Sequence, residues 1–169
     1  MANAEYKKFI KALGKKTITL IDPEVEVLGI QVEGVDITIS HRDAVEEGGS
    51  DQGVVILACD MGEVPQENRC TILEKVLEVG MHMTGLLLPY FGFEPQSQHL
   101  LLISVLPMNG IDVELALDMI SKLVLVAKDW QETHFLDKIG DTEFVPSNPV
   151  KDNIVLPVSA TGASRPVRR

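Results

Sequence analysis

The periodic segments of this chain predict an α+β fold: a single antiparallel sheet of about five strands with three helices, in the order α-β-β-β-α-β-β-α, paired with a second copy as a homodimeric sandwich. Three observations lead there. Apolar residues at helical spacing give way to strict alternation, and the switch happens twice between residues 3 and 135. The strand-like runs are grouped as hairpins with short turns, and do not alternate one by one with helices, which favours α+β over a parallel α/β sheet. The apolar content also exceeds what five strands and three helices can hide, and pairing two copies would bury the excess symmetrically.

The first element is NAEYKKFIKALG, where Tyr6, Phe9, Ile10 and Leu13 stand at i, i+3, i+4 and i+7. Asn3 is suited to cap this helix and Gly14 to stop it. So short a helix does not persist alone in water, and its stripe must rest on something. Next, Val35, Ile37 and Ile39 alternate with Asp36, Thr38 and Ser40, and Glu33-Gly34 precedes them where a tight turn would reverse the chain. A hairpin of about residues 24–32 and 35–42 is expected. DAVEEGGSDQG is an acidic, Gly-rich loop. The strand GVVILACDM is apolar on both faces, as a central or interface strand would be.

Pro65 stands near the start of a second helix with the stripe Ile72, Leu73, Val76 and Leu77 and an end expected at Gly80. Two strands follow, about 86–93 and 99–106, joined by the turn EPQSQ. The last helix runs from a cap at Asp112 to about Phe135. Residues 137–169 have four prolines, no helical period and a basic end at Arg165, Arg168 and Arg169. The expected division is one domain over 1–136 and a Pro-rich, extended or disordered C-terminal tail, in which NIVLPV has the composition of a docking strand.

Fifteen basic residues against 25 acidic ones leave the chain at −10, with a pI near 4.8. Such a chain repels phosphate backbones and anionic membranes, so neither nucleic acid nor membrane is an expected partner. The most apolar window, IDVELALDMISKLVLVA, carries Asp112, Glu114, Asp118 and Lys122, which argue against a membrane span. Cys59 and Cys70 form no CxxC pair, and the N-terminus has no long apolar run of the secretory type. A reducing, cytoplasmic setting is expected.

Catalytic chemistry leaves little trace. His41, His82, His99 and His134 are scattered, none at a spacing that places two ligands on one helix face. Cys59, His82 and His99 are the nearest approach to a cluster, but no orienting acid or oxyanion loop accompanies them. They read as a buried thiol and two element-end histidines. GGSDQG lacks the Lys-Ser/Thr of a phosphate loop. No catalytic residue, metal or cofactor is expected, and no enzyme.

Four features together resemble the class I type III secretion chaperones, the Tir chaperone family, over roughly residues 3–135. Asn68-Arg69 opens the second helix; an apolar strand ends in Gly92-Phe93; a short polar turn leads into LLLISVLP; and the last helix carries Leu123, Ala127 and Trp130. The preceding helix–hairpin order agrees. Pro89, inside the fourth strand, departs from the pattern. The resemblance implies a cytoplasmic homodimer that binds the N-terminal region of a secreted effector in extended form and delivers it to a secretion ATPase. It implicates Phe9, Ile10, Leu13, Val27, Ile37 and Ile39 in effector binding, and Leu73, Val76, Leu77, Leu86, Leu88 and Tyr90 in the dimer interface. The alternative on the same fold is a regulatory adaptor that sequesters a transcriptional regulator in competition with cargo. In the aromatic cluster of LLLPYFGFEP, alternation turns Phe91 and Phe93 toward the core and Tyr90 toward a partner subunit.

Overall fold

In the computed structural model, which describes residues 4–17, 21–43, 53–83, 88–109 and 111–136, the elements follow the expected order. They are α1 (Ala4–Lys16), β1 (Val27–Val32), β2 (Val35–Arg42), β3 (Val54–Glu63), α2 (Arg69–His82), β4 (Tyr90–Glu94), β5 (His99–Pro107) and α3 (Val113–Thr133). The strands form one antiparallel sheet in the order β1-β2-β3-β5-β4. Asn3, Leu86 and the stretch 137–169 lie outside the described residues.

Local chemistry accounts for most boundaries. Glu33 and Gly34 both take positive φ, 51° and 84°, the sign pattern of the two-residue turn whose twist matches a hairpin. The register from Val32↔Val35 to Val27↔Ser40 follows from it. The Asp112 carboxylate accepts from the Glu114 N–H at 3.1 Å and caps α3. Pro89 has no N–H to give a ladder, and β4 starts just after it, at Tyr90.

Two expected stops fail. α1 passes through Gly14, which is buried in the helix, and ends at the dipole-compatible Lys15-Lys16. α2 likewise continues past Gly80 to His82. Gly80 is small because β4 passes close by: a Cβ there would lie 3.4 Å from the Phe91 ring.

The side chains sort by strand parity. Leu28, Ile30, Ile37, Ile39, Leu57, Cys59, Leu100 and Leu102 are buried on one face. α1 and α3 lie over this face. The Tyr6 hydroxyl donates to the Ile39 carbonyl, and Cys59 Sγ lies 3.9 Å from the Leu123 carbonyl. Phe91 and Phe93, in register with Leu102 and Leu100, share this face and meet Gly80 and Arg69 of α2. Leu123, Ala127 and Trp130 are all buried along α3, and Trp130 and Phe91 both pack edge-on against the buried Phe135.

Ser104 interrupts this face: its hydroxyl is buried in β5 without a hydrogen-bond partner. An orphaned buried hydroxyl is a net cost that an apolar side chain of similar size removes. Ser104→Ala is therefore expected to raise the unfolding free energy by about 1 kcal/mol, read from the urea midpoint.

Candidate functional site

α1 covers the β1–β2 half of the sheet, and that role decides the fate of the residues the resemblance implicated there. Phe9, Ile10, Leu13, Ile37 and Ile39 are sealed in the core. They pack the helix onto its own sheet and present no surface to a ligand. Tyr6 anchors the same contact, stacking on His41 with ring centroids 4.3 Å apart, and burial pushes its hydroxyl up to about 12. Ion pairs from Lys7 to Glu24 and from Lys16 to Glu114 hold α1 at its margins. Of the six residues, Val27 alone is exposed, at 57%, on the face opposite Leu28 and Ile30. It stands on β1, an edge strand with one row of backbone groups unpaired in the sheet.

The surface at α2 and β4 is different. Val76 is buried and Leu73 partly buried, so both belong to the subunit's core. Leu77 is 71% exposed, Leu88 44% and Tyr90 53%, all apolar or aromatic and all outward. Met81, one helical turn beyond Leu77, is 76% exposed and extends the same stripe. The i+4 spacing from Leu77 was the signal for Met81, masked by the habit of reading methionine as core filler.

The second face of the sheet bears no helix contact among those above, and its two halves differ. Over β1 and β2 it is polar, with Gln31, Asp36, Thr38 and Ser40. Over β3 and β5 it carries Val54, Ile56, Leu101, Ile103 and Val105, half-buried and not packed against the core cluster. Tyr90, in register with Ile103, brings this apolar half to the β4 edge. At its far end Asp60 and His99 pair, with Nδ1 2.9 Å from both carboxylate oxygens.

Cys59, His82 and His99 are not brought together. Cys59 faces α3, while His99 bonds Asp60 on the other face, and His82 ends α2 in solvent. Burial, then the negative field of Asp60 and Asp36, push the Cys59 thiol up to about 12, so it carries no thiolate at neutral pH. Among the described residues no group of three or more His, Cys, Asp or Glu could hold a metal ion. No helix among them is long and apolar enough to cross a membrane. At pH 8 a chromogenic disulfide reagent should titrate one thiol per native chain, the exposed Cys70, and two once guanidinium unfolds it.

Comparison with known proteins agrees with this architecture. The fold superposes on the structure of the ExoT–SpcS complex from Pseudomonas aeruginosa with a TM-score of 0.55 at 17% identity, covering 76% of this chain and 98% of that one. The structure of the ExsC–ExsE complex gives 0.53 at 12% identity, covering 78% of this chain and 95% of that one. No curated protein sequence matches. Residues 31–131, more than half of the chain, match the Tir chaperone protein (CesT) family, with the second hairpin strand, β3, α2, β4, β5 and nearly all of α3 inside the matched span. The chain belongs to the Tir chaperone protein (CesT) family.

Proposed function

We propose that this protein is a cytoplasmic type III secretion chaperone that acts as a homodimer, holds the N-terminal region of a secreted effector in extended form, and delivers it to the export apparatus through its secretion ATPase. The observation that carries the reading is the uncovered apolar surface. Leu77 and Met81 on α2 and Leu88 and Tyr90 at β4 are exposed, and the β3–β5 half of the second sheet face is apolar and only half-buried. A protein at −10 has charge enough to cover its exterior, so this much exposed apolar side chain suits a surface meant for protein. Family membership supports the same class, and both similar structures are complexes of two proteins.

A second copy is the occupant that suits α2 and β4, because a two-fold axis matches one apolar stripe with itself. Cargo is assigned to the other edge. An extended segment can add a strand to β1, its backbone meeting the unpaired row and its side chains meeting Val27. This moves the effector contact from the buried stripe of α1 to the rim beside it. A regulatory adaptor on the same fold would bind a folded regulator that cargo displaces, and competition between the two separates that role from delivery alone.

Sedimentation should show a dimer at micromolar concentration, and Leu77→Glu with Met81→Glu should leave a folded monomer, since both positions are exposed in the subunit. A wild-type monomer at that concentration would refute the dimer. Val27→Arg should weaken capture of the N-terminal region of a co-purifying secreted protein about tenfold, or ~1.4 kcal/mol, while the dimer persists. Unchanged capture would take cargo off the β1 edge.

A further inference from the structure

Arg69 is a cation at the first position of α2, where the helix dipole disfavours positive charge. The buried Ile72 anchors the first turn in the core, but no side-chain cap or acidic residue meets the exposed end of the helix. Asn68 takes a left-handed conformation, φ 59°. The guanidinium instead lies over the Phe93 ring, 5.1 Å from its centroid, and donates from Nη1 to Gln98 Oε1. Gln98 is itself a junction. Held at φ 62°, it donates its N–H to the Glu94 carbonyl at 2.8 Å and its side-chain amide to Pro95. Its carbonyl accepts the Val64 N–H at 3.0 Å, from the segment that leaves β3. Arg69 thus ties the start of α2 to β3, β4 and β5 at one point. A second fixed point lies three turns on, where Gly80 lets the helix down onto Phe91.

We infer that Arg69 is a positioning residue for the interface: the Arg69–Phe93–Gln98 clamp sets the angle of α2 on β4, and so the relation of Leu77 and Met81 to Tyr90. The inference rests on the dimer reading above. Ile72 and Val76 seat the inner face of the helix in the core, and the contacts at its two ends, Arg69 on Phe93 and Gly80 on Phe91, set its direction along β4. The planar guanidinium matters because it stacks and donates at once, which a lysine cannot do.

The test compares Arg69→Met, Arg69→Lys and Phe93→Leu by sedimentation equilibrium of the full chain. Each is also placed in the Leu77→Glu, Met81→Glu monomer, where thermal unfolding reads subunit stability alone. Arg69→Met and Phe93→Leu are expected to weaken the dimer about tenfold, with Arg69→Lys between them and wild type. In the monomer background the unfolding midpoint should move by no more than a few degrees. A wild-type dissociation constant in Arg69→Met would overturn the inference and leave the dimer standing. Dimer weakening no greater than the loss of subunit stability would overturn it too, by making Arg69 merely structural. A monomeric wild-type chain would remove the dimer reading and the inference with it.

Discussion

α3 crosses the central strand β3, and through that crossing it also reaches β2, β5 and α1. Ala116, Ile120, Leu123, Ala127 and Trp130, spaced three or four apart, form the buried stripe that makes the contact. Each large side chain there gains on the order of 2 kcal/mol from leaving water, which no hairpin of this sheet could gain alone. The small residues in the stripe, Ala116 and Ala127, let the helix axis approach, and the Leu123 carbonyl comes within reach of Cys59. At its far end Trp130 meets Phe135, which takes φ 58° to turn inward and touch Phe91 of β4. One helix thereby joins the edge held by α1 to the edge held by α2.

That arrangement concentrates the helices against one face and leaves the other to the strands' own side chains. Alternation then writes two surfaces on a single sheet. Over β1–β2 the second face is polar and needs no cover. Over β3–β5 it is aliphatic and continues to Tyr90, while α2 turns Leu77 and Met81 outward beside it. None of the described elements packs over the aliphatic half of that face. Among the described residues, five strands in this order have one more face than three helices cover.

The element order, the turn at Glu33-Gly34, the cap at Asp112 and the central place of β3 were legible because each follows from local chemistry or from alternation. The ends at Gly14 and Gly80 were not. A glycine can stop a helix or let a neighbour pass, and only the position of Phe91 says which Gly80 does. Periodicity likewise shows that Phe9, Ile10 and Leu13 form an apolar stripe but not what covers it, and in this subunit the sheet does. Val76 and Leu77 are neighbours in one apolar run, yet the first is buried and the second faces outward. The Asn68-Arg69 pair was visible as a motif, yet its work depends on Phe93 and Gln98, far along the chain.

The pairing of β3 with β5 joins Glu63 to His99 and Val54 to Pro107, with α2 and β4 inside the loop that this closes. The first hairpin needs only its own two-residue turn and β3 can add to it through β2, whereas the other edge of β3 must wait for the distant β5. During that wait both apolar faces of β3 are open to solvent. The strand that organises the sheet is thus also the segment whose exposure would most favour aggregation wherever its pairing with β5 is lost.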